Sequence, residues 1–211
     1  MEIQNRIVGV IGQKGSGKST LAHRVLERCA RLFVFDMMGE HSWVPNTFRD
    51  LEKADQFLAW AQTQEHFAGR YVPNYELVDD FAELAGIVYD LGEMLLAVEE
   101  IPLLCSASYI PPEMGRLVRL GRHRRVSLLW TAQRAAEVSR TLTAMTDVFL
   151  LFSSTEPRDL DAIRERCGAE IAEKVSRLGL HDCLIWDVIG RRELSSLESE
   201  RVLYASSRGQ I

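Results

Sequence analysis

The sequence predicts a single-domain α/β fold in which a mostly parallel sheet carries helices on both faces. Short apolar runs rich in β-branched residues alternate, along the 211 residues, with segments whose apolar residues recur at helical spacing. The predicted strands are apolar along their whole length, which is typical of parallel strands buried on both faces. No repeat, low-complexity stretch or linker divides the chain, so one domain is expected.

The first half of the chain begins with a strand, a glycine loop and a helix. The run RIVGVI is a short β-branched strand that stops at Gly12, and LFVF is a second strand that stops at Asp36. Gly39 and Pro45 favour a loop between the second strand and the next helix. The predicted elements are, in order, strand 6–11, helix 19–32, strand 32–35, loop 37–46, helix 51–67, a strand centred on Tyr71 and Val72, and helix 77–91.

The second half continues the alternation and ends in a hairpin. The run MLLAV is a buried strand closed by two glutamates, and Pro112 suits the first turn of the helix that follows. The runs VSLLWT and VFLLF are further buried strands. The predicted elements are strand 94–98, loop 103–111, helix 112–121, strands 126–131 and 148–152, a helical stretch 157–178, and a hairpin over 183–194 that turns near Gly190.

Charge and cysteine content exclude several classes of protein. The net charge is −5 with a pI near 5.6, so any contact with nucleic acid must be local. The four cysteines show no CxxC spacing, which argues against a metal site or a disulfide framework. No apolar run approaches the roughly 18 residues of a membrane span, and the start has no signal-peptide pattern. We therefore expect an intracellular protein that is not integral to a membrane.

A phosphate-binding loop follows the first strand. The segment GQKGSGKS matches the pattern GxxxxGK[ST] at every position, and a threonine follows it. Backbone N–H groups and the positive end of the next helix would bind the β- and γ-phosphates of ATP, with Lys18 adding a charge and the Ser19 hydroxyl binding Mg²⁺. The expected nucleotide-binding residues are Gly12, Gln13, Lys14, Gly15, Ser16, Gly17, Lys18, Ser19 and Thr20.

Two acids at the end of strand 94–98 suit ATP hydrolysis. Ligands bind at the carboxyl ends of parallel strands, which is where Glu99 and Glu100 lie. In this interpretation Glu99 holds Mg²⁺ through water, and Glu100 polarises the attacking water. The alternative is that both acids are a solvated strand end. A GTPase is disfavoured because no NKxD-like base-selecting motif is present.

Gln133 and an arginine cluster are two further candidates. Gln133 follows strand 126–131, where its amide can sense the γ-phosphate and the lytic water; the alternative is a polar loop residue. The segment RLVRLGRHRR holds five arginines and no acid. It suits a solvated helix face, DNA phosphate contacts, or a finger that reaches the nucleotide of a neighbouring subunit. Arg122 is the first choice for the finger, with Arg119 and Arg125 in reserve.

Taken together, these segments resemble the FtsK-HerA superfamily of DNA-pumping P-loop ATPases. The resemblance rests on GQKGSGKST, FDMMGEH, MLLAVEE and LGRHRRVSLLWTAQRAAEVSRTL, and it covers about residues 6–152. FDMMGEH looks like the D-x-x-G-E-[HY] segment of that superfamily, with Asp36, Gly39 and Glu40. Two departures are Ala135, where proline usually follows Gln-Arg, and Glu99, where Asp is commoner. The short chain is most similar to genome-packaging ATPases of tailless, membrane-containing icosahedral viruses.

The resemblance implies a P-loop NTPase fold of the RecA/ASCE-like kind and an ATPase (ATP and water to ADP and phosphate) that uses Mg²⁺. It implies a double-stranded DNA translocase that packages a viral genome into a preformed capsid. The expected assembly is a homo-oligomeric ring, hexameric or pentameric, with nucleotide between subunits. Capsid vertex or viral membrane proteins are implied partners, in the host cytoplasm or with the virion. The expected division is a core at 6–152 and a helical and hairpin extension at 153–211.

Two other functions stay open from the sequence. One is a P-loop nucleotide or small-molecule kinase, although the paired glutamates and Gln133 suit water activation better than phosphate transfer to a substrate. The other is an assembly or secretion ATPase like the zonula-occludens-toxin-related phage proteins, which usually carry a membrane segment. The hairpin near Gly190 suits either docking on a neighbouring subunit or covering adenine.

Overall fold

The computed structural model describes residues 6–74 and 77–195, which form a nine-stranded sheet with helices on both faces. The strands are β1 Ile7–Ile11, β2 Arg31–Phe35, β3 Asn46–Phe48, β4 Phe67–Tyr71, β5 Met94–Val98, β6 Val126–Ala132, β7 Val148–Phe152, β8 Cys183–Asp187 and β9 Arg192–Leu194. The α-helices are α1 Lys18–Leu26, α2 Leu51–Ala61, α3 Leu77–Leu91, α4 Pro112–Leu120, α5 Arg140–Met145, α6 Pro157–Cys167 and α7 Ala169–Ser176. The predicted fold class is confirmed.

The strand order brings the predicted site residues together at the carboxyl ends of neighbouring central strands. The order is β3-β4-β2-β5-β6-β1-β7-β8-β9, and the first seven strands in this order run parallel. Strand β6 therefore separates β1, which leads into the phosphate loop, from β5, which leads into the two glutamates. Strands β8 and β9 add antiparallel to β7, as the predicted hairpin requires. The extension after residue 152 thus enlarges the same sheet.

Each face of the sheet has its own apolar core. One face buries residues of β1, β2 and β7 against the inner side of α1, including Ala22 and Val25. The opposite face packs on the other helices and contains the largest buried side chain, Trp130, together with Phe33, Phe35 and Phe81. Strands β5, β6 and β7 are buried along their whole length, which explains why their sequences read as continuous apolar runs.

Several predicted element ends were wrong. Helix α1 ends at Leu26 and not at residue 32, and α2 ends at Ala61 and not at residue 67. The nine residues of α1 span roughly 13 Å, and a five-residue strand spans about 17 Å. The short helix is therefore long enough to bring the chain back to the start of the next parallel strand. The apolar residues that seemed to prolong each helix instead begin the next strands, β2 and β4.

Three further elements differ from the prediction. The short strand β3 lies at the edge of the sheet, within the end of the predicted loop 37–46 and just beyond it. The predicted helical stretch 157–178 is two helices, because Gly168 has φ 96° and ends α6 before α7 begins. Helix α5 was not predicted as a separate element. The last part of the predicted extension, residues 196–211, lies outside the described residues.

Candidate functional site

The phosphate loop joins β1 to α1 in a conformation that glycine makes possible. Gly17 is the N-cap of α1 with φ 98°, and Gly15 has φ 82°, both in the left-handed region that disfavours other residues. The N–H of Gly12 donates to the Ala132 carbonyl (3.1 Å), which ties the start of the loop to the end of β6. Lys18 lies in the first turn of α1 and is 8% exposed. Among the other predicted loop residues, Ser16 is buried, Gln13 and Lys14 are exposed before the helix, and Ser19 and Thr20 are exposed in its first turn.

A Cβ at Gly12 would lie 2.6 Å from the Ser16 hydroxyl oxygen and 2.7 Å from Cβ of Phe152. Both contacts are too close for another side chain. The backbone there is in contact with the loop's own serine and with the end of β7. Packing alone therefore requires glycine at position 12.

Glu99 is buried at the end of β5 and lies against His41. The distance between His41 Nε2 and Glu99 Oε1 is 3.4 Å, and neither of these buried atoms completes a hydrogen bond. Burial lowers the pKa of His41, but contact with Glu99 and the charges of two nearby acids outweigh this effect, and the pKa lies above its ordinary value. The segment DMMGEH therefore delivers a basic side chain to the predicted Mg²⁺ ligand.

Asp36 organises the loop that carries His41. Its carboxylate accepts the backbone N–H groups of Glu40 and His41, both at 3.0 Å, and forms a 2.7 Å ion pair with Arg70 from β4. Asp36 is 1% exposed, so these three partners balance the cost of its burial. Asp36 was expected from the resemblance of its segment to a family motif, whereas neither Arg70 nor the contact between His41 and Glu99 was predicted from the sequence. A lone arginine inside the short FAGRY strand gave no signal for this role.

Glu100 and Gln133 are held together between the ends of β5 and β6. The carboxylate of Glu100 accepts both the backbone N–H of Gln133 (3.2 Å) and its side-chain amide (3.3 Å). Glu100 has φ 49°, and its own N–H donates to the hydroxyl of Thr131 (3.0 Å). Backbone and side chain of Glu100 are therefore both oriented by the end of β6.

Arg134, the residue after Gln133, is tied to helix α6. It forms salt bridges with Glu156 (2.9 Å) and Asp159 (3.2 Å), and Asp159 also accepts the N–H of Ala136 (3.0 Å). Both acids belong to the first turn of α6, where Glu156 caps the helix by accepting the N–H of Asp159. These bonds fix the loop that begins with Gln133.

The predicted finger residue lies at the amino end of β6, on the side of the sheet opposite the phosphate loop. Arg122 is exposed in the turn that precedes β6, whereas Gln133 follows β6. The seven residues of β6 span about 20 Å, so Arg122 cannot reach the phosphate loop of its own chain. Its neighbours are partly engaged: Arg125 pairs with Glu93 at 2.9 Å, and Arg124 donates to the carbonyls of residues 89 and 90.

The residues present fit a Mg²⁺ ion that arrives with the nucleotide. Glu99 offers a buried carboxylate, of which Oε1 lies 3.4 Å from Nε2 of His41 without completing a hydrogen bond, and Ser19 is exposed in the first turn of α1. Within the part of the chain that the structure describes, no group of three or more His, Cys, Asp or Glu side chains could hold a metal alone. Mg²⁺ suits such a sparse site, because it keeps several waters and takes phosphate oxygens as ligands.

The fold and the loop define a P-loop NTPase: a mostly parallel sheet whose first strand leads through GxxxxGK[ST] into a helix. No family model matches the chain, and no curated protein matches it. Solved structures do match it. B204, the genome-packaging NTPase of Sulfolobus turreted icosahedral virus 2, solved with AMPPCP, is 21% identical with a TM-score of 0.75, covering 90% of this chain and 96% of that one.

Two further structures show the range of the likeness. B204, the DNA-packaging ATPase of Sulfolobus turreted icosahedral virus, is 21% identical with a TM-score of 0.68, covering 92% of this chain and 97% of that one. The N-terminal domain of zonular occludens toxin from Neisseria meningitidis is 16% identical with a TM-score of 0.46, covering 71% and 78%. At these identities the B204 structures show the fold, and the toxin is too distant to support an argument about function.

Proposed function

We propose that this protein is an ATP-hydrolysing motor of the FtsK-HerA type that moves double-stranded DNA into a viral capsid. The observation that carries the proposal is the pair formed by Glu100 and Gln133 beside the phosphate loop. A carboxylate oriented by two N–H donors suits proton removal from water, and the amide of Gln133 beside it suits the positioning of that water. The likeness in fold to B204 over nine-tenths of both chains supports packaging as the purpose.

In this proposal each predicted residue has a step in hydrolysis. The loop from Gly12 to Thr20 binds the phosphates, and Lys18 neutralises charge on the β- and γ-phosphates. Mg²⁺, held by Ser19 and by Glu99 through water, would stabilise charge on the phosphate oxygens. Glu100 takes a proton from water as the water oxygen attacks the γ-phosphorus, and the bond to ADP breaks.

His41 is a positioning residue in the same scheme. It approaches the Glu99 oxygen that has no other hydrogen-bond partner, while Asp36 and Arg70 hold the loop that carries it. This arrangement links β2 and β4 to the metal-binding end of β5. It gives the segment DMMGEH a physical role in the proposed ATPase.

The ring is proposed from the position of Arg122. An exposed arginine about 20 Å from its own phosphate loop can assist hydrolysis if it belongs to a neighbour, as in a hexameric or pentameric ring around DNA. The core at 6–152 and the extension from 153 onward would form one subunit. Capsid vertex or viral membrane proteins would be its partners in the host cytoplasm or virion. No helix among the described residues is long and apolar enough to cross a bilayer.

The test is ATP turnover by the purified protein with and without linear double-stranded DNA, together with a sizing measurement. The proposal expects Mg²⁺-dependent turnover that DNA stimulates. Lys18→Ala should lower turnover by about 10²-fold or more, since it removes a charge that stabilises the transition state. Lys53→Ala is the matched control, because Lys53 is an exposed lysine of α2 and lies outside the loop.

The possible results separate the candidate functions. Turnover that DNA does not change would contradict the translocase and favour an assembly ATPase. Phosphate transfer to a nucleotide or small molecule, with little release of free phosphate, would indicate a kinase. A Lys18→Ala protein that is folded and hydrolyses ATP normally would overturn the assignment of the loop.

A further inference from the structure

A cavity of about 320 Å³ lies beside the phosphate loop, on the side of the sheet that carries α1. Its lining combines the loop, the start of α1, the end of β7 and the segment before β8. The lining residues are Ser16, Gly17, Thr20, Leu21, Arg24, Phe152, His181 and Cys183. None of the described residues that line it is acidic. The cavity is therefore continuous with the phosphate site but has a different chemical character.

His181 is fixed to the phosphate loop by one nitrogen of its ring. Nδ1 lies 3.2 Å from the carbonyl oxygen of Ser16. A carbonyl oxygen accepts hydrogen bonds and cannot donate them, so Nδ1 carries the proton in this contact. In the neutral ring, Nε2 is then an acceptor. The contact with the Ser16 carbonyl therefore makes Nε2 the hydrogen-bond acceptor of the neutral His181 ring.

His181 and Phe152 both lie beside the phosphate loop at Gly17. A Cβ added at Gly17 would lie 3.7 Å from both Nδ1 of His181 and Cε1 of Phe152. Phe152 supplies an apolar ring. Burial raises the pKa of the Cys183 thiol to about 12, so this wall of the cavity is uncharged. An apolar wall with one oriented acceptor suits a flat heterocycle with an exocyclic amine.

We infer that this cavity holds the purine ring of the nucleotide and that Nε2 of His181 selects adenine over guanine. The inference rests on the proposed binding of ATP at the loop. Adenine presents an N6 amine, which donates to an acceptor such as Nε2, whereas guanine presents O6, which is itself an acceptor. Guanine also has N–H donors that a carboxylate would accept, and the lining offers none. Arg24 lines the cavity and already has an interaction partner in the protein.

The experiment compares ADP and GDP as competitors of a fluorescent ADP analogue, and ATP and GTP as substrates. The unmodified protein should bind ADP about 10-fold or more tightly than GDP. His181→Asn should reduce that ratio to near one, because the asparagine amide can still donate to the Ser16 carbonyl but leaves no acceptor at the Nε2 position. His66→Asn is the matched control, since His66 is exposed and remote in sequence from the cavity.

His181→Ala separates base selection from support of the loop. It should lose the preference for ADP and should also weaken both diphosphates, because the bond to Ser16 is gone. A His181→Asn protein that hydrolyses ATP and keeps the full preference for ADP would overturn the inference and leave the proposed function intact. Equal affinity of the unmodified protein for ADP and GDP would do the same. Failure to bind either diphosphate would instead count against the proposed function.

Discussion

Glu99 and Glu100 are adjacent in sequence but differ in environment, and this difference separates their proposed roles. Glu99 is 9% exposed, and its Oε1 lies 3.4 Å from Nε2 of His41 without completing a hydrogen bond. Glu100 is partly exposed and has both carboxylate oxygens bonded to Gln133. The buried acid is suited to holding, through water, the Mg²⁺ that arrives with the nucleotide. The more accessible acid is suited to water that must be replaced in every cycle.

Glu100→Gln should bind ATP with nearly normal affinity but hydrolyse it at least about 10²-fold more slowly, because the amide keeps the shape and loses the base. Glu99→Gln should instead raise the Mg²⁺ concentration needed for half-maximal nucleotide binding. Nucleotide affinity measured across a Mg²⁺ titration, beside single-turnover hydrolysis, distinguishes the two. Glu137→Gln is the control, an exposed acid near the same loop. If Glu99→Gln alone stopped hydrolysis while Glu100→Gln did not, the two roles would be reversed.

Gln133→Ala should slow hydrolysis and uncouple it from DNA while ATP affinity stays nearly unchanged. The substitution removes the side-chain donor to Glu100 but keeps the backbone N–H that also bonds to this carboxylate. Glu100 should therefore remain near its position with less restriction. Phosphate release with and without DNA, compared with the affinity for a fluorescent nucleotide, is the measurement. An equal loss of nucleotide affinity would indicate that Gln133 supports the loop and does not act in hydrolysis.

At the level of single elements, β1 and β6 pack closely where Gly9 of β1 lies against Trp130 of β6. A Cβ at Gly9 would lie 2.3 Å from Cζ2 of Trp130, a fully buried side chain in β6. The indole N–H of Trp130 donates to Thr146 (3.2 Å), and its ring packs edge-on against Phe149. The tryptophan therefore has little freedom to move away. Because β1 leads into the phosphate loop, this packing also supports the site.

Gly9→Ala should lower the free energy of unfolding by about 1–3 kcal/mol, the usual cost of overpacking a core. For a chain of this length, the melting temperature should fall by about 2–4 °C per kcal/mol. The control is Gly86→Ala in α3, where the new Cβ would come no closer than 3.8 Å to its neighbours and alanine favours the helix. Combining Gly9→Ala with Trp130→Leu should cost less than the sum of the two changes. Additive costs would show that the two residues do not clash.

For the whole molecule, the proposed ring explains why an acidic chain could still handle DNA. The net charge of the chain is −5, but the arginine cluster from Arg116 to Arg125 contains no acid and precedes β6, on the side of the sheet away from the phosphate loop. Some of this cluster is paired within the chain: Arg116 contacts Asp90 and lies over the ring of Tyr89. Arg122 forms no ion pair within 4.0 Å with a described side chain, although burial raises the pKa of Asp147 and the charge of Arg122 is one of the smaller effects that oppose this rise. It is therefore the better candidate for a contact between subunits.

Arg122→Ala should bind ATP normally and lose most of its hydrolysis, because an arginine supplied by a neighbour can be worth roughly 10³ to 10⁵ in rate. Mixing this variant with Glu100→Gln protein should restore some turnover, since mixed rings contain interfaces that pair an intact arginine with an intact glutamate. Sizing of the mixture checks that mixed rings form. If they form without recovery, or if Arg122→Ala loses DNA affinity alone, Arg122 does not act on a neighbour's nucleotide.

Much of the fold and the core of the site could be predicted from local sequence. Continuous apolar runs identified five of the parallel strands, and a contiguous motif identified the phosphate loop, because both depend on neighbouring residues. The ends of α1 and α2 could not be predicted in this way, since the apolar residues after them fit a helix as well as a strand. The edge strand β3 has three residues and an exposed pattern, so it gave no periodic signal.

The sequence by itself determined that this chain forms a parallel α/β sheet with a loop for phosphate groups. The tertiary structure decided which distant residues meet there. His41 reaches Glu99, Gln133 reaches Glu100, and His181 reaches the carbonyl of Ser16 across 165 positions of sequence. These contacts depend on the order of strands in the sheet, which local periodicity does not encode. The direction of β6 places Arg122 at the amino end of this strand, away from the phosphate loop, so the proposed finger role would require a second copy of the chain.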